Sequence, residues 1–189
     1  MSVTYDGIVN AQKIQGDIIR KTSLTFSDTF SQLTGSTVYL KNEFEQKTGS
    51  FKLRGAYYKI KTLTEDERKN GVVAASAGNH AQGVAFASAL EKIGCTIVMP
   101  KNASPAKIAA TRGYGATVVL DGKNYDEAWI KAQEIAKITS ATIIHAFDDP
   151  KIIAGQGVIG LEIIEQLPDV DEIYAVSYTH LTLPTIYSV

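Results

Sequence analysis

From about residue 64 onward, short runs of β-branched and apolar residues alternate with longer runs in which apolar positions recur at helical spacing. The short runs are Val72-Val73-Ala74-Ala75, Cys95-Thr96-Ile97-Val98-Met99, Ala116-Thr117-Val118-Val119-Leu120, Ala141-Thr142-Ile143-Ile144-His145 and Glu172-Ile173-Tyr174-Ala175-Val176. Parallel strands need a long crossover, usually a helix, so this alternation predicts βα units around a parallel sheet and an α/β fold class. Near-continuous apolarity within each run fits strands covered on both faces. The predicted crossover helices are His80 to Ile93, rich in alanine and ending before Gly94, Ser104 to Arg112 with a proline near its start, and Tyr125 to Ile138.

Upstream, Thr37 to Lys41 reads as an additional strand, and Ser50 to Leu63 as a helix that begins just after Gly49. Thr64 with Glu67 three positions later is a capping box that opens a short charged helix, and it marks a domain border near residue 63. After Glu172 no charged residue follows, and Pro184 is unsuited to a central strand.

Composition excludes several classes of partner. Lys plus Arg (19) nearly balance Asp plus Glu (20), with no long block of one sign, so neither nucleic acid nor an anionic membrane surface is an expected partner. No apolar run approaches the ~20 residues of a membrane span, and the first residues lack the apolar core of a secretory signal; the expected location is the cytoplasm. With 44% apolar residues the chain is expected to bury a core. The lone cysteine, Cys95, lies in a predicted strand and is expected to pack rather than react. No His/Cys spacing suggests a metal site.

Two short stretches carry chemistry. In Gly49-Ser50-Phe51-Lys52-Leu53-Arg54-Gly55, apolar side chains flank a lysine in the first turn of a predicted helix. Burial and the positive end of the helix dipole both disfavour an ammonium, and only a neutral amine attacks a carbonyl. The same pattern more often describes a lysine whose stem lies along apolar surface with its charge in water. The second stretch, Ser76-Ala77-Gly78-Asn79-His80-Ala81-Gln82-Gly83, joins a predicted strand to an alanine-rich helix. A helix N-terminus at the carboxyl end of a parallel strand suits a carboxylate, Gly78 allows close approach, and Asn79 offers a hydrogen-bonding side chain. The alternative is a plain capped turn, with Asn79 as the N-cap and His80 exposed.

Together, VYLKNEFEQKTGSFKLRGA and SAGNHAQGVA resemble the lysine motif and the substrate-carboxylate loop of the fold-type II pyridoxal-phosphate enzymes, most closely the threonine/serine dehydratases. The resemblance runs from about Thr22 to Val176. It implies a tryptophan-synthase-β-like architecture: a small α/β domain over residues 64–149, and part of a larger cofactor domain over 1–63 and 150–176. By position it makes Lys52 the catalytic residue, linked to pyridoxal 5′-phosphate as a Schiff base and serving as proton carrier. Phe51 would wall the cofactor and Asn79 would contact its pyridine 3′-oxygen. Backbone groups of Ser76, Gly78, Asn79 and His80 would hold the carboxylate of a small amino-acid substrate. The implied reaction is β-elimination from L-threonine, and L-serine, to a 2-oxo acid and ammonia, in a homo-oligomer.

Within the fold type, cysteine-forming sulfhydrylases show TSGNTG where this chain has SAGNHA, and eukaryote-type serine racemases place a serine, their second acid–base group, where Ala77 stands. Both differences favour elimination. A second class of reading is a non-catalytic α/β module that binds a small anion. The chain departs from the pattern at Arg20-Lys21-Thr22-Ser23-Leu24, where the family has R-T-P-L, and after Glu172, where the family has a glycine-rich phosphate loop. Gly160 is the last glycine, so a fragment is expected, with residues 177–189 not native continuation. His145 is expected to be a satisfied core histidine, Trp129 to be packing, and Asp148-Asp149-Pro150 to be a helix start.

Overall fold

The structure, a computed structural model, describes residues 3–175. It opens with α1 (Tyr5–Gln15) and a small antiparallel ribbon, β1 (Leu24–Phe26) and β2 (Tyr39–Lys41), flanking α2 (Asp28–Thr34). Next come α3 (Lys52–Lys61) and α4 (Glu65–Asn70), the latter opened by the complete Thr64/Glu67 capping box. The alternation then delivers β3 (Val72–Ala75), α5 (Asn79–Leu90), β4 (Cys95–Met99), α6 (Pro105–Gly113), β5 (Thr117–Leu120), α7 (Tyr125–Thr139), β6 (Thr142–Ile143) and α8 (Pro150–Gln166). The last four strands form one all-parallel sheet in the order β5-β4-β3-β6.

Strand periodicity divides the core between the two faces. Val72 and Ala74 of β3 and Ile97 and Met99 of β4 face a cluster with Leu53, Ile60, Val84 and Ile152 from α3, α5 and α8. The alternate residues Val73, Ala75 and Val98 face Ala128 and Ala132 of α7. Both faces are therefore covered, as the unbroken apolar runs predict. Asp149 caps α8 through hydrogen bonds from the Lys151 and Ile152 N–H groups, with Pro150 at the first helical position.

Three expectations change. β6 is shorter than the run Ala141 to His145, because His145 Nδ1 accepts from the Phe147 and Asp148 N–H groups and turns the chain out of the sheet. His145 is thus satisfied, but in a half-exposed aromatic group between Trp129 and Phe147 rather than in the core. No strand forms over 171–175, where the run Glu172 to Val176 predicts one: a strand exists only by pairing, and no neighbour pairs with this segment among the described residues. Val176 and the tail 177–189 lie outside the described residues. Where the family pattern has a proline, Ser23 donates its N–H and its hydroxyl to the Glu45 carboxylate, a clamp that a proline, having neither donor, could not make.

Candidate active site

The two motifs meet at one glycine. A Cβ on Gly83 would lie 3.1 Å from the Leu53 nitrogen and 3.2 Å from the Lys52 carbonyl carbon, so α5 passes directly against the first residues of α3. Separated by 24 to 27 positions in the chain, Lys52 and the turn at Ser76 to Asn79 are therefore brought together at the carboxyl end of β3.

Lys52 is the first residue of α3 and is 5% exposed. Its Nζ donates to the Ala146 carbonyl at 2.9 Å and stands 5.1 Å from the centroid of the Phe51 ring. Burial pushes its pKa below the ordinary lysine value, which enlarges the neutral fraction. Of the two readings open in the sequence, the structure has the buried one: the amine does not reach out to solvent.

In the second motif, Ser76 closes the strand with its N–H on the Val98 carbonyl, and its hydroxyl accepts from the Gly78 N–H. Gly78, not Asn79, is the N-cap of α5, and no side chain caps that end. Nothing lies within 4 Å of a Cβ built on Gly78, which leaves open space before the helix N-terminus. Asn79 is exposed, and its Oδ1 accepts from Lys107 Nζ at 2.9 Å. His80 is buried rather than exposed: Nε2 lies 3.0 Å from the Ile144 carbonyl, which fixes that nitrogen as the protonated one. Burial pushes its pKa down to about 4, so the ring is neutral at physiological pH.

The sequence reading missed a buried ionic network that anchors α3. Arg54, fully buried, pairs through both Nη atoms with Glu162 at 2.7 and 2.9 Å and through Nε and Nη2 with Glu43 at 2.8 Å each. Lys41 Nζ completes it, 2.6 Å from Glu162. Burial opposes the Arg54 charge, but the hydrogen bonds it donates to both carboxylates outweigh that and hold its pKa above the ordinary value. The signal was a lone carboxylate in the apolar stretch GVIGLEII.

The residues fit pyridoxal phosphate. The cofactor needs an amine of lowered basicity, which Lys52 offers, and room beside it, which Gly78 leaves at the Ser76 to Asn79 turn. Buried polar atoms without a hydrogen-bond partner also sit beside each motif: Thr48 Oγ1 and Ser50 Oγ before Lys52, and His80 Nδ1 and Gln82 Nε2 after Gly78. Such atoms cost free energy unless something answers them.

The family of pyridoxal-phosphate dependent enzymes matches residues 16–182. This chain belongs to that family. It is 53% identical over 169 residues to an L-threonine ammonia-lyase of Thermotoga maritima, covering 89% of this chain and 42% of the relative. It is 46% identical over 173 residues to the catabolic L-threonine dehydratase TdcB of Escherichia coli, covering 92% and 53%. Among solved structures, maize serine racemase superposes with a TM-score of 0.87 at 32% identity, over 90% of this chain and 52% of that one. The chain thus spans about half the length of the relatives it matches. The fold is that of the fold-type II enzymes, with pyridoxal phosphate as the family's cofactor.

Proposed function

We propose that this chain carries the lysine and the substrate turn of a threonine dehydratase, which eliminates water from L-threonine, and from L-serine, after which water adds back to the resulting imine to release ammonia and a 2-oxo acid. The supporting observation is the close packing of Gly83 on the Lys52–Leu53 backbone, which brings α5, with open space at Gly78 before its N-terminus, against the helix that begins with a buried amine of lowered basicity. The names of the relatives support the choice of threonine.

Pyridoxal phosphate, when bound, supplies an electron sink for the charge left at the substrate α-carbon. In this reading Lys52 holds the cofactor through Nζ, and Nζ later moves the α-proton. Phe51 walls the cofactor, and Asn79 faces its 3′-oxygen. The N–H groups around Ser76, Gly78, Asn79 and His80 receive the substrate carboxylate, where the positive end of the α5 dipole favours an anion. A second reading, racemisation, is favoured by the likeness to maize serine racemase. It lacks the hydroxyl it needs, because residue 77 is alanine. We further propose that residues 64–149 act as the small domain, that 1–63 and 150–176 belong to the cofactor domain, and that the protein works as a cytoplasmic homo-oligomer. Among the described residues, no helix is long and apolar enough to cross a membrane.

The test is to add pyridoxal phosphate, follow the visible absorption band, reduce with borohydride and locate the label. A band and a label on Lys52, both lost in Lys52→Ala, support the assignment; equal labelling of the variant sinks it. Products from threonine, serine and O-acetylserine, measured in the complete reading frame that carries this sequence, separate dehydration from replacement chemistry.

A further inference from the structure

Helices α5 and α6 run side by side in matched register. Asn79 and Phe86 are seven positions apart on α5, and Lys107 and Tyr114 are seven positions apart along α6 and its C-cap. Seven residues are two helical turns, roughly 10 Å along the axis. The far rung is apolar: the Phe86 and Tyr114 rings meet edge to face with centroids 5.4 Å apart. The near rung is polar, Lys107 Nζ to Asn79 Oδ1 at 2.9 Å. The aromatic pair sets the spacing of the two helices and so places the ammonium over the Asn79 amide.

A carboxamide presents an acceptor and a donor in fixed geometry, whereas an ammonium only donates. Lys107 can therefore bind only the oxygen, and the Asn79 NH₂ must point elsewhere. The contact is also costly by itself, since it brings a cation towards the positive end of α5. An orientation held at that expense suggests that the direction of the NH₂ matters.

We propose that Lys107 is a positioning residue that fixes the Asn79 side chain with its NH₂ turned to the cofactor, making Asn79 a hydrogen-bond donor to the 3′-oxygen. This rests on the reading above in which Asn79 faces that oxygen. An anionic oxygen needs a donor, and an amide free to flip would present its oxygen part of the time. Lys107 acts only through Asn79. Arginine in its place keeps a donor-only cation; methionine does not.

Two measurements test this. In the chain without added cofactor, the Asn79 side-chain NH₂ resonances, identified by their loss in Asn79→Ala, should shift in Lys107→Met and return towards the native position in Lys107→Arg. With pyridoxal phosphate, the Lys52-dependent visible band should need about tenfold more cofactor in Lys107→Met, the scale of one charge-assisted hydrogen bond. Lys107→Arg should restore most of it, and Lys107→Met should have no effect in the Asn79→Ala background. Equal weakening in both backgrounds, or unmoved Asn79 resonances, overturns the proposal and leaves the Lys52 assignment standing. A native chain with no Lys52-dependent band overturns that assignment and with it the cofactor-facing role of Lys107.

Discussion

Lys52 and His80 end on the same short segment of chain, Lys52 Nζ on the Ala146 carbonyl at 2.9 Å and His80 Nε2 on the Ile144 carbonyl at 3.0 Å. The segment leaves β6 and turns at His145, so the amine and the imidazole are referenced to one piece of backbone. His80 is therefore tied to the placement of Lys52 through a shared stretch of backbone.

This relationship has a pH signature. The folded-state pKa of His80 is lowered from 6.5 to about 4 by burial. Between those values the unfolded chain binds the extra proton, so stability is fully present above 6.5 and is lost as pH falls through about 4. The loss attributable to this residue is on the order of 3 kcal/mol. Urea titrations at several pH values should show it, and His80→Gln, which keeps a donor to Ile144 without a titrating ring, should flatten the profile in that window. An unchanged slope in the variant would refute the assignment.

Arg54 should be the most costly charge to remove. It is fully buried and holds Glu43 and Glu162 by four hydrogen bonds. Arg54→Met leaves two carboxylates short of their partner, at a cost of about 3–5 kcal/mol. Adding Glu162→Met to Arg54→Met should cost less than the two single changes combined, because the pair is coupled. Denaturant midpoints for the set decide it; a loss under about 1 kcal/mol for Arg54→Met would mean that water enters the network.

Two glycines in α8 should respond with opposite sign. A Cβ on Gly155 would sit 2.8 Å from both the Arg54 carbonyl oxygen and the Gly55 Cα, so Gly155→Ala must push α8 off α3 and should cost about 1–3 kcal/mol. Nothing lies within 4 Å of a Cβ on Gly160, so Gly160→Ala should stabilise the helix by about 0.5–1 kcal/mol. Thermal melts of the two variants test the packing directly; a shift in the same direction for both would contradict it.

Lys52 should also be the first lysine to react as pH rises. Its pKa is lowered by burial, so its neutral fraction grows at lower pH than that of exposed lysines. Competitive reductive labelling with pyridoxal phosphate from about pH 6 to about pH 9 should show Lys52 labelled ahead of Lys123, which lies exposed on a loop. Parallel labelling curves for the two would argue against a depressed amine.

The parallel sheet and both motifs were legible in the sequence for one reason. They rest on local signals, namely short continuous apolar runs, Gly94 and Pro105 as punctuation, the Thr64/Glu67 box, and the residue types around Lys52 and Gly78. The ribbon partner β1 and helices α1 and α2 escaped, being short or weakly patterned; the ribbon takes its register only from its neighbour. For the same reason the apolar run at Glu172 was mistaken for a strand: its residues suit pairing, but pairing is a property of two segments.

What the sequence determined by itself was the order of elements from α3 to α8 and the identity of a lysine that could serve a carbonyl cofactor. Whether Lys52 lies buried or reaches into water, whether His80 is a neutral interior ring or an exposed first-turn residue, and which face of the Asn79 amide is free were decided only by the fold. Each depends on groups distant in the chain: Gly83 and Ala146 for Lys52, Ile144 for His80, and Lys107 for Asn79. Burial and hydrogen-bond partnership are set by what packs nearby, and no local pattern encodes the neighbour that arrives from elsewhere in the chain.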